Sequence, residues 1–182
     1  MIINIRGTSG SGKSTIVRKL IQSAGSSFAV YGMLGPARAE AYLTGYGDQT
    51  YILGPYEIPT GGMDAVVGHG GIPACIELLD KYVDKGHLIF EGLIISSMWG
   101  SIGSWLERHK SKVIIAPISA SWEECQAGLV ERQGARAKGD KTQAIHFAGT
   151  KRVVERAAAD GFRVEPLDRK EAVQTISRWL DE

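Results

Sequence analysis

The sequence predicts an α/β protein: a three-layer α/β/α sandwich on a mostly parallel five-stranded sheet, in a single domain covering residues 1–182. Three observations carry that reading. Short apolar runs alternate with amphipathic stretches from end to end, as they do when helices cover both faces of a parallel sheet. The first apolar run, Met1-Ile2-Ile3-Asn4-Ile5, passes through a glycine-rich loop into the helical pattern Thr15-Ile16-Val17-Arg18-Lys19-Leu20-Ile21. The length suits one sizeable core and leaves little for a second.

In chain order, the apolar pattern places a strand at Ile2 to Ile5 and a helix from Lys13 to about Ser23. Strands follow at Phe28 to Met33 and Tyr51 to Leu53. The apolar spacing then predicts a helix from Ile72 to Asp84, with Gly86 beyond its end. The run His87 to Glu91 reads as a buried strand, Ile102 to Lys110 as a helix, and Val113 to Pro117 as another strand. Ser121 is an N-cap for a helix from Trp122 to Arg132, with Glu123 and Glu124 in its first turn. A helix from Gln143 to Asp160 stops at Gly161, a strand runs from Phe162 to Pro166, and a last helix from Lys170 to Leu180. Parallel connections should be right-handed, with ligands at the carboxyl ends of the strands. Two regions break the alternation: the Gly-, Pro- and Tyr-rich stretch 34–71, and the basic stretch 133–142. Irregular segments this long in a compact domain are usually functional.

Residues 7 to 14, Gly7-Thr8-Ser9-Gly10-Ser11-Gly12-Lys13-Ser14, form a complete G-x-x-x-x-G-K-[ST] phosphate loop between a strand and a helix. Glycines let successive backbone N–H groups turn toward a phosphate, and the following helix directs its positive dipole end at the same anion. Gly7 through Thr15 are the expected ATP-binding residues. Lys13 would reach the β- and γ-phosphates, and Ser14 would help hold Mg²⁺. Leu88-Ile89-Phe90-Glu91-Gly92 is an apolar strand ending in an acid, which puts Glu91 near the same Mg²⁺. No N-K-x-D guanine-recognition sequence is present, which argues against a GTPase switch, and the chain is short for a motor.

From 132 to 156 the chain carries seven bases, Arg132, Arg136, Lys138, Lys141, Lys151, Arg152 and Arg156, against two acids, Asp140 and Glu155. Arginines on a closing lid at about 133–142 suit phosphoryl transfer, which depends on positioning and on neutralising charge. Arg132 and Arg136 are the preferred charge stabilisers, and contact with nucleic-acid phosphates is a second use of the cluster. The acceptor side falls in the insertion at 34–71. There Thr60-Gly61-Gly62-Met63-Asp64 offers Asp64 as the base that takes the acceptor hydroxyl proton, or, more simply, as a helix N-cap. Glu57 is an alternative acid, Arg38 a candidate for an acceptor phosphate, and Tyr42, Tyr46, Tyr56 and Trp99 candidates for stacking on a base.

The net charge of +1 excludes a polycation that coats nucleic acid. No apolar run is long enough to span a bilayer, and a first strand starting at residue 2 leaves the expectation of no targeting segment. The two cysteines, Cys75 and Cys125, lie in no C-x-x-C or Cys/His cluster and read as structural thiols of a reducing cytoplasm.

With the phosphate loop, the Glu91 strand and the basic lid in place, the chain resembles the P-loop kinase superfamily on its nucleotide-kinase, thymidylate-kinase-like branch. The architecture matches over nearly all of the chain. Thymidylate kinases carry an Asp-Arg pair at the end of an early strand, and the corresponding stretch here, Phe28 to Gly35, has no acid. A narrower similarity fits better. Tyr51-Ile52-Leu53-Gly54-Pro55-Tyr56-Glu57-Ile58-Pro59-Thr60-Gly61-Gly62-Met63-Asp64, with Phe90-Glu91-Gly92 downstream, resembles bacteriophage kinases that phosphorylate 5-hydroxymethyluracil in DNA. That resemblance implies ATP and Mg²⁺ as cofactors and DNA with a modified base as partner. It also implies a place in thymine hypermodification, which shields phage DNA from restriction. The alternatives are a kinase of a free nucleoside, nucleotide or other small alcohol, and a non-catalytic, ATP-gated binding module.

Overall fold

The computed structural model describes residues 1–46, 49–59, 61–134 and 140–181. The strands are β1 (Ile2–Arg6), β2 (Ser27–Gly32), β3 (Gly35–Thr44), β4 (Thr50–Leu53), β5 (His87–Glu91), β6 (Val113–Ser119), β7 (Arg163–Val164) and β8 (Leu167–Asp168). The helices are α1 (Lys13–Ser23), α2 (Met63–Tyr82), α3 (Leu93–Ser97), α4 (Trp99–Arg108), α5 (Trp122–Gln133), α6 (Asp140–Ala159) and α7 (Ala172–Leu180). The sheet order is β2-β3-β4-β5-β1-β6-β7, with β8 pairing β6 beyond β7. Strands β4-β5-β1-β6-β7 are parallel neighbours, as expected of a mostly parallel sheet, but the whole sheet has eight strands rather than five. An antiparallel hairpin of β2 and β3 extends this core at the β4 edge.

Alternation along the strands separates two cores. Ile2, Leu88, Phe90, Val113 and Ile115 face one layer with α2 and α4, whereas Ile3, Ile5, Ile89, Ile114 and Ala116 face α1 and α7. These are the outer layers of the sandwich. Ser121 accepts from the Glu124 N–H at 3.2 Å, and the Glu124 carboxylate accepts from the Ser121 N–H at 2.7 Å, completing a capping box at the start of α5.

Three elements differ from the sequence expectation. Among its described residues, the stretch 34–71 holds β3, β4 and the start of α2. Strand β3 escapes a period-two reading because Glu40 lies in its middle yet is fully buried, accepting from Met33 N–H, the Tyr82 hydroxyl and Lys81. Helix α2 begins at Met63 rather than Ile72. It breaks at Gly70 and Gly71 and resumes where the apolar spacing starts. The single strand expected at Phe162 to Pro166 is two short ones, β7 and β8, on either side of Pro166, which has no N–H to donate to a ladder.

Candidate active site

Strand β1 is the middle one of the five parallel strands, and the loop that follows it lies at their carboxyl edge. Gly10 and Gly12 have φ of 81° and 96°. A Cβ on Gly10 would sit 1.9 Å from the Cys125 carbonyl oxygen, because α5 crosses directly over the loop. Lys13 Nζ donates to the carbonyls of Gly7 at 2.7 Å and Thr8 at 3.1 Å, which folds the ammonium over the loop. Burial pulls the Lys13 pKa down, while Glu91 and Asp64 oppose that shift.

Glu91 ends β5 next to β1, and its Oε1 accepts from the Ser14 hydroxyl at 2.8 Å. It is 1% exposed, and burial raises its carboxyl above the usual range against the opposing effects of Lys13 and Ser14. A hydroxyl and a carboxylate in contact are hard oxygen donors that fit Mg²⁺. That ion takes one or two protein oxygens and completes its shell with phosphates and water.

Asp64 reaches this pocket because Gly62 allows α2 to start against β5. Gly62 has φ 68°, and a Cβ there would lie 2.6 Å from Glu91 Oε1. Asp64 does not cap its own helix. Its Oδ2 accepts from the Leu93 N–H at 2.7 Å and its Oδ1 from the Ile94 N–H at 3.1 Å, so it caps α3. Each oxygen keeps lone-pair capacity for a further proton. The other end of α3 is held by Arg6, whose Nη1 donates to the Ile95 carbonyl at 2.7 Å. Arg6 is fully buried with its Nε on Asn4 Oδ1 at 2.6 Å, and burial brings its pKa down to about 9.

Together these groups line a cavity of about 610 Å³. The phosphate loop forms one wall, with Gly61, Asp64, Glu91 and Leu93 opposite and Arg18, Arg132 and Arg169 supplying positive charge. Of the residues singled out from sequence, Lys13, Ser14, Asp64, Glu91 and Arg132 converge here. Arg136 and half of the expected lid, 135–139, lie outside the described residues, while α6 already begins at Asp140.

Arg38, Glu57 and Tyr56 are not among the lining residues. Glu57 is committed to the hairpin, accepting from Ala39 N–H at 2.8 Å, Tyr56 N–H at 2.9 Å and the Tyr42 hydroxyl. Tyr56 is buried in the core, and Arg38 is exposed on β3. The expected aromatic stack is also absent from the described lining: Tyr46 bonds Ser23 and Leu20, and Trp99 packs edge-on to Phe162. The basic segment is partly neutralised on its own helix, where Lys151 faces Glu155 and Arg156 faces Asp160.

Sequence reasoning missed Arg18 and Arg169. Arg18 donates to the carbonyls of Tyr56 and Ile58 at 3.1 and 2.8 Å, tying α1 to the segment before α2. Arg169 packs against Gly12, with its Nε 3.2 Å from where a Cβ would be. Its place directly after the last strand, at the carboxyl edge, was the available signal.

No family model matches the chain. It is 27% identical to the 5-hmdU DNA kinase of Pseudomonas phage M6, across 98% of this chain and 97% of that protein. It is 25% identical to the 5-hmdU DNA kinase of Pseudomonas phage PaMx11, across 99% and 97%. Among solved structures it superposes on deoxyadenosine kinase from M. mycoides with bound dATP, with a TM-score of 0.54 at 13% identity over the full length of both chains. The fold is shared with that kinase, and the two phage relatives, both kinases by name, support a phosphotransferase. No helix of the described residues is long and apolar enough to cross a membrane.

Proposed function

We propose that this P-loop kinase transfers the γ-phosphate of ATP to the hydroxymethyl group of 5-hydroxymethyluracil in DNA. The observation that carries the proposal is full-length similarity to two phage 5-hmdU DNA kinases, in a chain whose phosphate loop faces two carboxylates across one cavity. The hydroxymethyl oxygen attacks the γ-phosphorus, the bond from that phosphorus to the β,γ-bridging oxygen breaks, and ADP leaves. Asp64 takes the hydroxyl proton on a carboxylate oxygen held in place by the Leu93 and Ile94 N–H groups. Lys13 turns from the Gly7 and Thr8 carbonyls to the phosphates, and Arg132, with Arg136 from the adjoining segment, offsets charge on the transferring group. Ser14 and Glu91 would hold Mg²⁺, which when bound neutralises phosphate charge and orients the nucleotide. In a phage, the product would lead into thymine hypermodification and protection from restriction, in the cytoplasm of the host.

The test is incubation with γ-labelled ATP and a duplex containing 5-hydroxymethyluracil, beside a panel of free nucleosides and nucleotides. Label on the DNA is the expected result. Label confined to free nucleosides or nucleotides would reject the DNA acceptor and favour the second reading, a deoxynucleoside or nucleotide kinase, which the fold likeness to deoxyadenosine kinase supports.

A further inference from the structure

A second cavity, of about 330 Å³, lies behind the phosphate loop and shares no lining residue with the first. The loop itself is the partition. Thr8 and Ser11 line the rear cavity, as do Ile118 beyond the middle of β6, Cys125 of α5, and Phe147 and Thr150 of α6. The hydroxyls of Thr8, Ser11 and Thr150 are buried without a hydrogen-bond partner among the described residues, and the three residues are 2%, 2% and 8% exposed. A buried hydroxyl that bonds nothing is costly, so three around one cavity, two on the loop and one on α6, point to a ligand that supplies donors and acceptors.

The chemistry of the walls narrows the class. The charged lining residues, Lys151 and Glu155, are exposed to solvent and 4.0 Å apart, so the buried walls carry no cation to compensate an anion. Phe147, held edge-on by Trp122 at 5.6 Å, offers an apolar ring surface. The volume is that of a small-molecule site. A neutral heterocycle has apolar faces and a hydrogen-bonding edge, and it matches all three properties.

We infer that the rear cavity binds a neutral nucleobase, in a site separate from the one where phosphoryl transfer takes place. The base comes either from a free nucleoside or from a nucleotide of a DNA strand whose phosphates run past Lys151 and Arg152. Both residues are exposed on α6. This inference does not rest on which acceptor is phosphorylated.

The test is photo-cross-linking of the intact chain with 4-thiothymidine, free or as the single thio-base of a short oligodeoxynucleotide, followed by peptide mapping. Label should fall on the α6 segment around Phe147 to Val154 or on the peptide containing Cys125. Filling the cavity with Val154→Trp should remove it. Thr150→Val should weaken binding about fivefold, the loss of one neutral hydrogen bond, while Thr150→Ser restores it. ATP affinity unchanged in Thr150→Val would show that the variant is folded. Label from both probes supports a free nucleoside source, and label from the oligonucleotide alone supports a DNA strand. No label, label confined to peptides of the larger cavity, or label indifferent to both Val154→Trp and Thr150→Val overturns the inference. Failure of the DNA-phosphorylation assay with this label intact would reject the proposed acceptor and leave the rear site standing.

Discussion

Replacing Asp64 by Asn separates two jobs that the structure gives to one carboxylate. Asp64 accepts from the N–H groups of Leu93 and Ile94, and it also faces the cavity that holds Lys13 and Glu91. Asparagine keeps one acceptor oxygen, so one of the two bonds survives and the other N–H meets a donor. Losing one charge-assisted bond at a half-buried helix start costs about 1.5 kcal/mol. In a chain of this size that lowers the melting temperature by about 3–6 °C. Alanine removes both bonds and should cost about twice as much. If Asp64 is also the base, Asp64→Asn should lower kcat by about 10²–10⁴, with ATP affinity unchanged to within about twofold. Calorimetric melting, ATP titration and initial rates with a saturating acceptor read the three quantities separately. A variant that melts as expected but keeps kcat within about fivefold of the parent would refute the assignment of Asp64 as base, leaving it as the clamp of α3.

The remaining predictions probe the loop, the arginine and the hairpin. Gly10→Ala should weaken ATP binding at least about tenfold and lower the melting temperature, because the new Cβ meets the Cys125 carbonyl at 1.9 Å on a backbone with φ 81°. Titration with a non-hydrolysable ATP analogue checks this. Arg132→Ala should reduce kcat on the order of 10³-fold with little change in KM for ATP, if the exposed guanidinium acts on the transferring phosphate; single-turnover kinetics distinguish this from a binding defect. Glu40→Gln should destabilise the chain by about 2 kcal/mol near neutral pH, because it weakens the bonds from Lys81 and Tyr82 at a fully buried carboxylate. Burial by itself would raise the Glu40 carboxyl, but those hydrogen bonds and the one from Met33 leave it below the ordinary value. A folded pKa below the unfolded one stabilises above the unfolded value and ceases to do so as pH falls. The melting gap between parent and variant should therefore be full above about pH 5 and close on acidification past about pH 4.3.

Much of the fold is legible in sequence where a local rule decides the outcome. The five parallel strands follow from apolar runs, α5 from the Ser121–Glu124 box, and the second half of α2 from spacing that begins at Ile72. The phosphate loop is legible for the same reason: its backbone requirement is met by a contiguous pattern. Other elements depend on partners far along the chain. Glu40 is tolerable in the middle of β3 only because Lys81 and Tyr82, about forty positions later, converge on it. Arg6 reads as a strand end, yet it is buried under α3, where it bonds a carbonyl 89 positions away. Glu57 and Tyr56 read as acceptor-side residues, but the β2–β3 hairpin and the core occupy them.

By itself the sequence determined that this chain carries a phosphate loop on a parallel α/β sheet, with an acid at the end of a second strand. Those features rest on contiguous residues whose backbone geometry and apolar periodicity are local properties. Only the tertiary structure decided that Asp64 caps α3 rather than its own helix and shares a cavity with Glu91 and Lys13. It also brought Arg18 and Arg169 to that cavity and left a second one behind the loop. The reason is physical: which groups meet at the carboxyl edge of a sheet depends on strand order and on how closely glycines such as Gly10 and Gly62 let helices approach.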